Sequence, residues 1–247
     1  MKQWTGELIE GNWEGFSIET GLMMDREYII VFPEKGTENG KWAIKTEYFG
    51  AFPETEIALL NRGYHLASIK TKTRWCLDED TEAQAALARY LHEKLGLSPK
   101  GVPVGMSCGG IQAIYLAAKH PELVSCIYVD APVINFLSCP AGFGNANDKM
   151  LDEFTQAKGM TLLDLLSYRK HPLDYIPAIV EAKIPVVLVS GDSDTVVPFD
   201  ENGRLLKEAC EVAGVPISTF IKPGGDHHPH GLPDITPIVE FIDKYSE

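Results

Sequence analysis

No stretch of this 247-residue chain approaches the roughly 20 consecutive apolar residues that a membrane-crossing helix needs. The opening MKQWTGELIEGNWEG also lacks the apolar run of a secretory leader. Cysteine is sparse and odd in number: Cys76, Cys108, Cys126, Cys139 and Cys210, without the spacing of a metal site. That pattern excludes a disulfide framework and reads as reduced thiols, so a cytoplasmic setting is expected. Positive charge is short as well. With 22 Lys and Arg against 35 Asp and Glu, the formal net charge is −13. Such a surface repels phosphate backbones and anionic lipid, so neither a nucleic-acid nor a membrane partner is expected. There is no internal repeat, no low-complexity tract and no linker long enough to separate domains. One domain over residues 1–247 is the expectation.

What is present is an alternation of strand and helix signals. ELIEGNWEGFSIETG reads as short strand-like pieces punctuated by Gly and Asn, an antiparallel edge. YIIVF (28–32) is a continuous β-branched run ending at Pro33, followed by the polar loop PEKGTENGKW. FPETEIALLNRG carries a Pro at its start, acids in its first turn and Gly63 at its end, the marks of a helix. Strand YHLASI (64–69) precedes the strongest helix, DEDTEAQAALARYLHEKLG. Strand GVPVGM, helix CGGIQAIYLAAKH, strand LVSCIYVDAPV, strand IPVVLVSG, helix ENGRLLKEACEVAG, strand PISTFIK and helix TPIVEFIDKY complete the series. Several strands are apolar throughout, which predicts an α/β fold with a mostly parallel, doubly wound sheet covered on both faces. One segment breaks the rhythm. From about 135 to 182 a Gly- and Asn-rich loop mixes with helical pieces, which reads as a small cap insertion over the carboxyl ends of the strands.

Chemistry concentrates at three places. GMSCGG (105–110) sets Ser107 between glycines where strand VPVGM gives way to a helix. A nucleophile held on a sharp strand-to-helix turn needs small residues two before and two after it, here Gly105 and Gly109. The N–H of the next residue, Cys108, then faces the helix N-terminus and can receive a developing oxyanion. The Cys108 thiol itself is expected to pack against the sheet.

A serine hydroxyl at neutral pH needs an adjacent base held by a third group. Strand IPVVLVS runs into GDSDTVVP, which offers Asp194 as the orienting acid and Asp192 as the alternative. Strand PISTFIK runs into PGGDHHPHGL, where His227 directly follows a Gly-rich turn and is the expected general base. His228 and His230 are left to orient the loop, bond to backbone or touch substrate. Asp226 and the three histidines are sound metal-ligand types. Neighbours in sequence rarely converge on one ion without a second element, however, and no HExxH or CxxC supplies one, so no metal and no organic cofactor is expected. Trp42, Tyr48, Phe49 and Trp75 lie near strand ends, as pocket lining or as core.

From YIIVF through GMSCGG and GDSDTVVP to GGDHHPHGLPD, the chain resembles an α/β-hydrolase-fold serine hydrolase along essentially its whole length. HHPHGLPDITPIVEFI further resembles bacterial esterase-like members loosely grouped with prolyl-oligopeptidase-type hydrolases. The resemblance implies a Ser107–Asp194–His227 triad. It also implies an oxyanion hole made by the Cys108 N–H and a second N–H from the loop after YIIVF. That loop, Pro33 to Trp42, departs from the HGGG form of many lipases and esterases, and its donor is not named. The expected activity is hydrolysis of a small carboxylic ester, with an acyl ester of a carbohydrate as one form. A serine peptidase on short peptides and a non-catalytic ligand-binding protein of the same fold are the alternatives.

Overall fold

A computed structural model describes residues 9–147 and 149–246; the first eight residues, Asp148 and Glu247 lie outside them, and with them the start of the expected N-terminal edge segment. The strands are β1 (Ile9–Trp13), β2 (Phe16–Met23), β3 (Arg26–Val31), β4 (Trp42–Lys45), β5 (His65–Ile69), β6 (Val102–Met106), β7 (Ile127–Asp130), β8 (Val186–Gly191) and β9 (Ile217–Lys222). They form one sheet in the order β1-β2-β3-β5-β4-β6-β7-β8-β9. The first three strands pair antiparallel with one another, β3 pairs antiparallel with β5, and every pairing from β5 to β9 is parallel.

The helices are α1 (Glu54–Asn61), α2 (Asp78–Leu95), α3 (Gly109–Lys119), α4 (Leu151–Lys158), α5 (Leu162–Ser167), α6 (Pro172–Glu181), α7 (Gly203–Ala213) and α8 (Thr236–Tyr245). Strand side chains alternate between faces, so successive residues feed different cores. Ile44, Ala67, Val186 and Leu188 pack with α2, α3, α6 and α7 on one side. Ala43, Leu66, Val187 and Val189 pack with α1 and α8 on the other. This is the α/β-hydrolase fold, with a sheet covered on both faces. Local signals place the helix ends: three acids, Asp78, Glu79 and Asp80, open α2 at the positive end of its dipole, and Gly96 at φ 69° closes it.

β4 is not legible in the sequence. Its four residues, WAIK, follow a polar loop and are too few to show a period, yet they form a fully buried strand between β5 and β6. Between β7 and β8 the chain makes α4, α5 and α6. α6 lies in the helical layer against α3 and α7. The loop from 135 onward, with α4 and α5, packs instead on the ends of the parallel strands. There Phe136, Phe154 and Leu165 share a third apolar cluster with Trp75, Cys108 and Val197. Among the described residues no helix is long and apolar enough to cross a membrane, and all five cysteines are free and buried.

Candidate active site

β6 ends at Met106, and Ser107 turns the chain sharply into α3. Its φ of +53° is a left-handed conformation that costs a non-glycine residue about 1–3 kcal/mol. Main-chain bonds hold it there: the Ser107 N–H donates to the Asp130 carbonyl at 2.9 Å, and Gly110 and Val133 each donate to the Ser107 carbonyl at 3.0 Å. Gly105 is required by space. A Cβ there would stand 2.4 Å from the Gly109 carbonyl oxygen, which is backbone and cannot give way. A Cβ at Gly109 would meet Thr46 Oγ1 and Glu47 Cβ at 3.2 Å, tight but less severe.

The imidazole of His227, beyond β9, bridges the other two residues singled out in the sequence. Its Nδ1 lies 2.7 Å from Asp194 Oδ2 and its Nε2 3.0 Å from Ser107 Oγ. An ionised carboxylate can only accept, so Nδ1 carries the proton and Nε2 presents its lone pair to the serine hydroxyl. Asp194 Oδ1 accepts the N–H groups of Val196 and Val197, both at 2.8 Å. Burial works to raise the Asp194 pKa, but the bonds from His227 and these two N–H groups outweigh it and hold the carboxyl below its ordinary value. Asp192 has a different task. Its Oδ1 accepts from Gly224 N–H at 2.7 Å and Ser193 Oγ at 2.9 Å, fastening the loop after β8 to the loop after β9.

Cys108 leads into α3 and is only 1% exposed. Burial pushes the thiol up to about 11, against the opposing effects of the nearby Tyr48 hydroxyl and the Arg74 charge, so it stays protonated at neutral pH.

The loop Pro33 to Trp42 does not reach the site. β3 runs antiparallel to β5, so this loop leaves at the opposite rim of the sheet. There Asn39 bonds to Gly63, Lys41 to His65 and Gly40 to Ser98, at the amino ends of β5 and β6. A second oxyanion donor from 33–42 is therefore ruled out by strand direction. The segment that does lie against the elbow is Thr46–Phe49, which follows β4. Thr46 Oγ1 donates to the Gly109 carbonyl at 2.8 Å. Tyr48, at φ +56°, lies near Cys108 and Arg74, and burial drives its phenol far above the ordinary range, keeping it a neutral donor.

Of the four aromatics noted in the sequence, Trp42 is core: it is 1% exposed and its Nε1 donates to the Ser98 carbonyl, away from the site. Phe49 packs on Trp13 with ring centroids 5.0 Å apart. Trp75, fully buried, donates to Glu153 of α4 at 3.0 Å, and Arg74 binds the same carboxylate, joining the loop after β5 to the inserted helices.

A second histidine–aspartate pair stands beside the first. His230 Nδ1 lies 2.8 Å from Asp130 Oδ1, and Gly231 N–H donates to Asp130 Oδ2 at 2.6 Å. Sequence reasoning misses Asp130, although an acid closing an apolar strand is a signal to follow. His228 is exposed and stacks on Phe52, with centroids 5.5 Å apart.

Sheet order, strained serine and bridging imidazole together give the α/β-hydrolase fold with serine, histidine and aspartate in one hydrogen-bonded line at the strand ends. A family model described as "alpha/beta hydrolase fold" matches residues 56–169. The chain is 27% identical over 150 residues to the acylamino-acid-releasing enzyme of Rattus norvegicus, a match covering 59% of this chain and 20% of that protein. It thus spans about a fifth of the curated relatives it matches. Among solved structures, Porphyromonas gingivalis dipeptidyl peptidase 4 superposes with TM-score 0.70 at 16% identity, covering 98% of this chain and 36% of that one. Pyrococcus horikoshii acylaminoacyl peptidase does so with TM-score 0.66 at 15% identity, covering 92% and 38%. At such identities the structural likeness establishes the fold.

Proposed function

We propose that this protein is a serine peptidase acting on short peptides whose amino end is blocked by an acyl group. The observation that carries the reading is the single imidazole of His227 spanning Ser107 and Asp194. In this reading Ser107 Oγ attacks the amide carbonyl as its proton passes to His227 Nε2. Asp194 fixes the ring and stabilises the imidazolium. The tetrahedral oxyanion is received by the Cys108 N–H, with Tyr48 as the second donor; one such donor typically contributes about 3–4 kcal/mol. His227 then returns the proton to the leaving nitrogen, the C–N bond breaks, and an acyl-enzyme forms on Ser107. Water, deprotonated by His227, attacks that ester; the acid product leaves and the proton returns to Ser107. Within the segment from 135 to 182, the loop from 135 onward with α4 and α5 acts as the cap over this site.

Two considerations favour an amide over the ester expected from the residues alone. Two of the similar proteins are named an acylamino-acid-releasing enzyme and an acylaminoacyl peptidase. In addition, the two carboxylates that bear electrostatically on Cys108, Glu47 and Glu153, are already engaged. Glu47 accepts from Gln112 and Thr71, and Glu153 is held by Arg74 and Trp75. The Arg74 guanidinium thus neutralises Glu153, which suits a blocked amino end, while Glu47 accepts only neutral donors, both on Oε2.

The test compares acetyl-alanine p-nitroanilide, the unblocked anilide and the matching p-nitrophenyl ester. The blocked anilide should be turned over at least about tenfold faster than the unblocked one, with some ester cleavage, and Ser107→Ala should lower kcat by about 10³-fold or more. Ester turnover with no anilide cleavage would return the reading to an esterase. Failure of a fluorophosphonate to label Ser107 would leave a ligand-binding protein.

A further inference from the structure

A triad uses one histidine and one acid, yet this loop carries three histidines and two of them are seated on buried carboxylates. The rings of His227, His228 and His230 stand mutually edge-on, with centroids 4.8, 5.0 and 4.9 Å apart. One nitrogen from each lies within 4.8 Å of the others. Three imidazoles on a single zinc ion, each at about 2.0–2.1 Å, put their ring centroids about 5 Å apart and their ligating nitrogens about 3.3 Å apart. The ring centroids are therefore already at the required spacing, and the nitrogens, within 4.8 Å of one another, have about 1.5 Å or less to close. His228 is exposed, so its ring turns without displacing buried atoms.

The outer partners fit the same ion. Histidines that bind zinc characteristically donate their other ring N–H to a carboxylate, which fixes the tautomer and strengthens the ligating nitrogen. Here Nδ1 of His227 is tied to Asp194 at 2.7 Å and Nδ1 of His230 to Asp130 at 2.8 Å, and both carboxylates are fully buried. Each pair leaves Nε2 as the available ligand. Three imidazole nitrogens suit zinc and not the oxygen-seeking magnesium or calcium.

We propose that His227, His228 and His230 form an inhibitory site for a zinc-type divalent cation, which silences the enzyme by occupying the His227 nitrogen that takes the Ser107 proton. The inhibitory consequence rests on the reading of His227 as general base; the binding does not. Zinc here is a regulator, outside the reaction.

The experiment uses the full chain in chelator-stripped buffer with zinc chloride, against magnesium and calcium chloride. Calorimetry should show one zinc per chain and no uptake of the other two ions. Saturating zinc should slow fluorophosphonate labelling of Ser107 at least about tenfold, with recovery on adding EDTA. His228→Gln, checked for an unchanged thermal melt and referred to its own zinc-free rate, should bind zinc at least about tenfold more weakly. Absence of zinc binding, equal zinc affinity in His228→Gln, or zinc binding without slowed labelling would each overturn the proposal. If acetyl-alanine p-nitroanilide is not hydrolysed but zinc binds and slows labelling, the substrate reading fails and the zinc site stands. If Ser107 is not labelled even without zinc, calorimetry on wild type and His228→Gln still decides the site.

Discussion

Asp130 holds Ser107 and His230 at once: its main-chain carbonyl takes the Ser107 N–H at 2.9 Å while its carboxylate takes His230 Nδ1 at 2.8 Å. The residue at the end of β7 thereby joins the strained serine to the loop that carries His227, three positions before His230. An asparagine at 130 keeps the carbonyl bond but cannot accept from both His230 and Gly231, because one of its two polar atoms is a donor.

Asp130→Asn is therefore expected to lower kcat by about 10- to 100-fold, the size of a lost charge-assisted hydrogen bond, with KM little changed. Steady-state kinetics on the blocked anilide, with the fluorophosphonate labelling rate as a second readout, checks this. A proportionate rise in KM with kcat intact would mean that Asp130 supports the substrate pocket and not the position of His227.

Cys108 stands beside the proposed nucleophile yet is buried, with its thiol pushed up to about 11. Iodoacetamide at pH 8 should leave it unmodified in the folded protein, as read by peptide mass spectrometry. Cys108→Ala keeps the main-chain N–H and should retain activity within about threefold, with a stability loss of roughly 1 kcal/mol. Carboxymethylation of Cys108 together with loss of activity would contradict both expectations.

Beneath the elbow, Lys45 and Glu56 form an ion pair at 1% and 2% side-chain exposure, and Lys45 Nζ also approaches Met106 Sδ at 3.2 Å. Removing one partner strands a buried charge. Lys45→Met should destabilise the fold by about 3–5 kcal/mol in urea titration, and adding Glu56→Leu should recover much of that loss. A double variant no more stable than the single one would show that the pair contributes more than mutual neutralisation.

For Asp194 the sign follows from the direction of its shift. Its native pKa lies below the ordinary 3.8, because the bonds from His227 and the Val196 and Val197 N–H groups outweigh its burial. The stability it contributes is thus fully present above that ordinary value and is lost as pH falls through the lower native one. The stability gap between wild type and Asp194→Asn should be widest near pH 7 and should shrink below about pH 4. Activity of Asp194→Asn should fall by about 10³- to 10⁴-fold, since an amide no longer fixes the His227 tautomer. A stability gap that holds constant into acid would show that the carboxylate charge is not what the fold uses.

Much of the fold is specified locally. The spacing of Gly105, Ser107 and Gly109 between an apolar strand and a helix specifies the elbow, because only glycine fits where a Cβ would stand 2.4 Å from backbone oxygen. Gly96 and the acids at Asp78–Asp80 mark the ends of α2 for equally local reasons. β4 escapes because a four-residue strand has no period to detect, and with it goes the segment that lies against the elbow. Sequence reasoning puts the loop after β3 at the wrong rim because strand direction is a property of pairing, not of composition.

The sequence by itself determined the elements, their alternation and the residue types able to pass a proton, since those depend on neighbours a few positions apart. Only the tertiary structure decided which loops share a rim and which acid serves which histidine. His227 and His230 are three residues apart, whereas Asp194 lies 33 positions from one and Asp130 lies 100 from the other. Those partners arrive on separate parallel strands, and a hydrogen bond reads distance in space alone.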